Sequence, residues 1–151
     1  MVMFDLPKQL LVCCCLLSVA GCAVYNAPVV DALSEGRVSE RSERLLLLQL
    51  PDQAAFPVRY IERDDCLFLG AGGGWWQALE QQQTVSMVLQ GRSDTRSGQA
   101  FPDHPAGREV ARLLRDRWPR WMRNWFSPTL VVLAPEDPQT CLAHFAVPPL
   151  T

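Results

Sequence analysis

Five stretches of this chain carry strand-like patterns of apolar and polar residues. Leu45 to Leu50 (LLLLQL) is a continuous apolar run, too short for a typical helix and stopped by Pro51, which predicts a buried strand. After a turn over Pro51 to Ala55, Phe56 to Glu62 (FPVRYIE) alternates as a half-buried strand does. Asp64-Asp65 then turns the chain into Cys66 to Leu69, giving a hairpin. Thr84 to Gln90 places Val85, Met87 and Leu89 on one face and Ser86, Val88 and Gln90 on the other. Thr129 to Ala134 (TLVVLA) predicts the last strand.

The intervening segments predict two helices. Gly70, Gly72, Gly73 and Gly74 form a turn that feeds a short helix from Trp75 to Gln82. Farther on, Asp103 is placed to cap a helix with Pro105 in its first turn. Val110, Leu113, Leu114, Trp118, Trp121, Met122 and Trp125 recur at helical spacing behind it. Pro119 removes an N–H from that face, which predicts a break near Trp118. Gly91 to Gly98 reads as polar and turn-like, with a short edge strand reaching Phe101. Residues 138–151, rich in proline, read as an irregular tail. Many short strands with few helices predict a mainly β (α+β) fold. The expected form is a small antiparallel barrel over residues 44–137, with the short helix after the glycine turn and one longer amphipathic helix.

The N-terminal end changes the setting. Lys8 precedes an apolar run from Gln9 to Ala20, too short to span a bilayer, and Val19-Ala20-Gly21-Cys22 closes it with small residues before a cysteine. This matches a bacterial lipobox, so residues 1–21 are expected to be removed as a signal peptide and Cys22 to carry lipid. Residues 22–43 would then be a tether, with one helical turn after Pro28. Ala23 lacks the aspartate of inner-membrane retention, which favours the outer membrane, facing the periplasm.

Export alters the cysteine count. Of six cysteines, Cys13, Cys14 and Cys15 leave with the signal and Cys22 carries lipid, so Cys66 and Cys141 remain in an oxidising compartment. A disulfide and two separately buried apolar side chains both stay open. The formal net charge of −2 gives no drive toward nucleic acid. Arg108 to Phe126 interleaves arginines with tryptophans, and Trp121 and Trp125 are candidates for contact with an anionic membrane surface. Oligomeric state is left open, a homodimer included.

Three segments, RLLLLQL, PVRYIERDDCLFLGAGGG and WWQALEQQQTVSMVLQGR, carry a family resemblance. In layout they resemble the deazaflavin-dependent nitroreductase family within the flavin-binding split-barrel superfamily, over about Arg44 to Asp137. Trp75, Trp76, Leu79 and Val85 to Arg92 fall on that family's pattern, as does the helical segment Gly107 to Trp118. The resemblance implies a split barrel that holds FMN or the deazaflavin coenzyme F420. The amides of Gly72, Gly73 and Gly74 would face the cofactor phosphate, Trp75 or Trp76 would wall its ring, and Arg59 or Arg92 would offset its charge.

Two departures bear on that cofactor. The first hairpin turn, Pro51 to Ala55, has an acid where the family places a base, and Ala78 stands where the family has Asn. No Arg-Arg pair precedes the apolar run, so the chain is expected to be exported unfolded, leaving a cytosolic cofactor behind. The expectation is therefore a binding or envelope-associated module with a degenerate cofactor site and no bound cofactor. Its rival is an active flavin- or deazaflavin-dependent reductase of quinones or nitroaromatics. His104 and His144 have no carboxylate or cysteine at ligand spacing, so no metal site is expected.

Overall fold

The computed structural model describes residues 27–37, 43–116 and 129–145. The signal segment, Cys22, the break expected at Pro119, and Trp121 and Trp125 lie outside the described residues. Six strands close into one antiparallel barrel: β1 (Leu45–Gln49), β2 (Phe56–Arg63), β3 (Cys66–Ala71), β4 (Gln83–Leu89), β5 (Arg92–Phe101) and β6 (Thr129–Ala134). Around the wall the order is β1-β2-β3-β6-β5-β4, with β4 returning to β1 through Leu48↔Met87. The small antiparallel barrel expected from the strand pattern is the fold of the chain.

Strand alternation fills the interior. Leu46 and Leu48 of β1, Val58 and Tyr60 of β2, Leu67 and Leu69 of β3, Val85 and Met87 of β4, and Val131 and Leu133 of β6 meet in one buried cluster. The opposite faces of β3 and β6 are buried as well. There Cys66, Phe68, Leu130, Val132 and Ala134 meet helices α2 (Pro105–Leu114) and α3 (Pro138–His144). Burial on both faces explains why CLFLGA and TLVVLA read as unbroken apolar runs. Helix α2 delivers Ala106, Val110 and Leu114 to this outer layer at steps of four residues.

Four local expectations are corrected. Gly91 to Phe101 is not a turn with a short edge strand. From Arg92 onward it is the ten-residue β5, which pairs with β4 from Arg92 to Gly98 and with β6 from Ser97 to Phe101. Arg92 to Thr95 are exposed whichever way they point, so they show no alternation and only the ladder with β4 reveals the strand. The cap of α2 is His104, not Asp103. His104 has extended backbone and accepts the Ala106 N–H at Nδ1, whereas Asp103 has a φ of 58°.

The tail expected to be irregular contains α3. Asp137 caps it, accepting the Gln139 N–H at 2.9 Å, and Pro138 supplies the preset φ of a first helical residue. The chain before the barrel is more than a tether with one helical turn. Residues 27–34 form a helix, α1, and its Leu33 is buried.

Candidate functional site

The glycine turn lies where β3 leaves the barrel. Gly72 and Gly73 are exposed, and a Cβ on either would meet nothing within 4 Å. Only Gly73, with φ of 81°, needs glycine's conformational freedom. Behind Gly74 the chain makes a 3₁₀ turn over Trp75–Leu79, not the helix to Gln82 that the sequence predicts, and β4 begins four residues later at Gln83. The Gln83 side chain bonds back to the Ala78 carbonyl, fixing that corner. So short a turn sums too few peptide dipoles to act as a helix N-terminus toward an anion.

What this turn does is close the barrel. Leu79 is fully buried among the interior side chains, and Trp75 and Trp76 pack half-buried against the same cluster. Gly98 of β5 makes the room. A Cβ there would stand 3.0 Å from Leu133 Cδ2 and 3.5 Å from Leu79 Cδ2. Trp75 meets Phe56 edge to face, with ring centroids 5.4 Å apart.

The other residues singled out from the sequence do not gather here. Arg92 begins β5, whereas Phe101, at the far end of that strand, pairs with Leu130 beside Gly70. Arg92 and the glycine turn therefore sit at opposite ends of the barrel. Arg59 does lie near the turn, but its Nη1 donates to the Leu114 carbonyl oxygen at 3.1 Å. That carbonyl belongs to the last turn of α2, which has no intrahelical partner for it, so Arg59 serves as a C-terminal cap. Of the two arginines, Arg92 thus lies apart from the glycine turn, whereas Arg59 lies beside Gly70 and Trp75 with its guanidinium engaged by the end of α2.

A concave site does exist beside them, on the outside of the barrel. A cleft of about 230 Å³ opens between β2 and the end of α2. Phe56, Pro57, Val58, Trp75, Ala111 and Leu114 supply apolar walls, Gly70 lies among them, and Arg59 and Arg115 bring positive charge with no carboxylate in the lining. Burial holds the Arg115 guanidinium below its usual pKa, and it remains a cation at any physiological pH. Sequence reading named Arg59 and Trp75 but not the cleft, because only the fold brings Ala111, Leu114 and Arg115 against β2.

Cys66 and Cys141, whose pairing the sequence left open, form a disulfide with Cα atoms 5.9 Å apart. It ties the first residue of β3 to α3. Phe145 then lies 4.7 Å from the Phe68 ring, and the Arg63 guanidinium sits 4.5 Å from the Phe145 centroid.

At the barrel end away from the glycine turn, Arg96 bridges β5 to the β2–β3 turn. Its Nη1 bonds the Asp65 carbonyl, Nη2 reaches Asp65 Oδ1 at 2.9 Å, and Nε reaches Asp94 Oδ2 at 3.0 Å. The hydrogen bond from Arg96, with a second from the Thr95 N–H, holds the Asp94 carboxyl below the usual range. Burial pushes the Tyr60 phenol up, and its hydroxyl donates outward to the Glu43 carbonyl at 3.2 Å. Among the described residues no group of three or more His, Cys, Asp or Glu could hold a metal ion. No family model matches this sequence, and comparison with curated proteins gives no significant match.

Proposed function

We propose that this chain is a lipid-anchored envelope protein whose barrel serves as a binding module, its ligand site lying on the outside wall. The observation that carries this reading is the cleft between β2 and α2, beside a barrel whose interior and glycine-turn end are occupied by its own side chains. Its chemistry suits a small ligand with a flat apolar body and one anionic group. The body would lie against Phe56, Pro57 and Trp75, and the anion near Arg59 and Arg115. The volume matches about ten to fifteen heavy atoms, below the usual range for drug-sized ligands. The disulfide supports export, since such a bond persists in an oxidising compartment. The lipobox-like run ending at Cys22 supports the anchor, with the outer membrane as its address.

Titration of the mature protein followed by amide NMR tests the site. With 1-naphthoate, shifts confined to β2, Trp75 and the last turn of α2 are expected. The neutral naphthalene-1-carboxamide should bind at least several-fold more weakly, and Ala111→Phe, which fills the cleft, should abolish both. Equal binding of acid and amide would remove the role of the arginines. The rival reading, a reductase of quinones or nitroaromatics, predicts stoichiometric yellow absorbance or a melting temperature raised by micromolar FMN. Either result would replace the proposal. In that event Gly73→Asp should abolish FMN binding, since it puts a carboxylate into the turn.

A further inference from the structure

The segment that leads into the barrel is docked on it. Helix α1 stops in a Schellman motif, in which the Arg37 N–H reaches the Ala32 carbonyl at 2.9 Å and the Gly36 N–H reaches the Leu33 carbonyl at 3.2 Å. Gly36 takes the left-handed conformation that this stop requires, with φ of 69°. The same glycine lies directly on the β4–β5 turn. A Cβ on Gly91 would stand 2.6 Å from the Gly36 Cα, and one on Gly36 would stand 3.2 Å from the Gly91 Cα. Two backbones approach this closely only where neither carries a side chain. Leu33, 3 % exposed, gives α1 a buried anchor as well.

This docking changes what an anchor at Cys22 would mean, and the argument rests on that reading of Cys22. Five Cα steps separate Cys22 from residue 27, a reach of at most about 18 Å. A free segment running to Arg44 would reach about 75 Å when extended. Among the described residues no helix is long and apolar enough to cross a membrane, so for these residues the lipid is the hold on the bilayer. We infer that α1 turns the tether into a short leash, which keeps the barrel at the lipid headgroup layer, with α1 and the β4–β5 turn as the elements closest to the anchor. The immediate partner of this domain is then the membrane surface that carries it, and ligands reach the cleft from the adjacent aqueous layer.

Leash length is measurable. The full chain, processed in a bacterial host and labelled at Ser93→Cys, is placed in phosphatidylethanolamine and phosphatidylglycerol vesicles that carry an acceptor dye on the headgroup. Ser93 is exposed on β5 near the docked turn. Ten Gly/Ser residues are then inserted between Val24 and Tyr25, ahead of α1. With α1 docked, the stretch between Cys22 and residue 27 grows from five steps to fifteen, and a random-coil span of that length rises about 1.7-fold. With the whole tether free, the span rises only about 1.2-fold. A clear loss of energy transfer on insertion is the expected result. Unchanged transfer in a chain that still takes up labelled palmitate at Cys22 overturns the docked leash and leaves the anchor standing. A chain that takes up no palmitate overturns the anchor and this placement together. Gly91→Val, which drives a side chain into Gly36, should lower the transfer without changing palmitate uptake, and normal transfer in that variant also overturns the leash.

Discussion

Inside the barrel, Leu46, Leu48, Leu67, Leu69, Val131 and Leu133 reach one another through strand alternation alone. On the outside of the same β3 and β6, Phe68, Leu130 and Val132 are covered by two helices that belong to neither strand. The inner layer is continuous around the wall, and Leu79, from the 3₁₀ turn, helps complete it. The outer layer needs α3, a seven-residue helix too short to be stable by itself, and the disulfide is what holds that helix in place. A closed barrel therefore supplies one hydrophobic layer from local periodicity, whereas its second layer depends on a covalent tie to distant sequence.

The contrast can be broken first at the tie. Cys66 and Cys141 are 75 residues apart, and closing so long a loop contributes about 4.5 kcal/mol through the entropy of the unfolded chain. The double variant Cys66→Ala, Cys141→Ala should lose most of that in urea unfolding. Its α3 amides should exchange much faster than those of β3, while the β3–β6 ladder stays protected. Equal loosening of strand and helix would mean that the two layers are one cooperative unit.

The inner layer is tested by Leu79→Ala. Removing this side chain leaves a cavity in a crowded interior, at a cost of about 3 kcal/mol. The loss should appear in the urea midpoint without a change in slope. It should also leave α3 protection unchanged, the reverse of the cysteine variant. A cost below about 1 kcal/mol would mean that the 3₁₀ turn is an ornament on the barrel rather than its plug.

How much of this could be read beforehand follows from the same division. β1, β2, β4 and β6 were legible to within a residue because their own residues alternate or saturate, and β3 was legible except for its last two residues. β5 was not, since Arg92 to Thr95 are exposed on both faces and owe their strand to β4. Helix α3 had a readable signature in Asp137-Pro138, an N-cap followed by a first-turn proline, but the surrounding prolines masked it. The site was less legible than the fold. Residue types picked out Arg59 and Arg92 together, yet only pairing registers reveal that one caps α2 and the other lies at the far end of the barrel. Helix capping by an arginine from another element leaves no trace in local sequence.

Asp137→Ala sharpens the comparison more gently. It removes an acceptor for the Gln139 N–H and for the Thr140 hydroxyl, a cap worth about 1 kcal/mol. With the disulfide intact, the effect should be confined to faster exchange in the first turn of α3. In the cysteine-free variant the same change should loosen α3 along its whole length, because only the packing of Leu142 and Phe145 then holds it.

The first half of β5 belongs to neither hydrophobic layer, and there electrostatics substitutes for burial. Arg96, only 10 % exposed, joins Asp94 to the β2–β3 turn through Asp65. Asp94 has a lower pKa folded than unfolded, so in the acidic range the unfolded chain binds more protons. Its contribution is complete above the unfolded carboxylate value of about 3.9, and it fades as pH falls through the lower folded value. Because the Asp94 side chain is 47 % exposed, solvent screening keeps that contribution below about 1 kcal/mol. Asp94→Asn should therefore lower stability slightly at pH 6 and flatten its decline below about pH 4, as the native carboxylate takes up its proton. An unchanged acid limb in urea midpoints would show that the Arg96 bridge rests on Asp65 alone. Leu79→Ala, by contrast, should lower the whole curve by the same amount at every pH, since no proton is linked to the packing it removes.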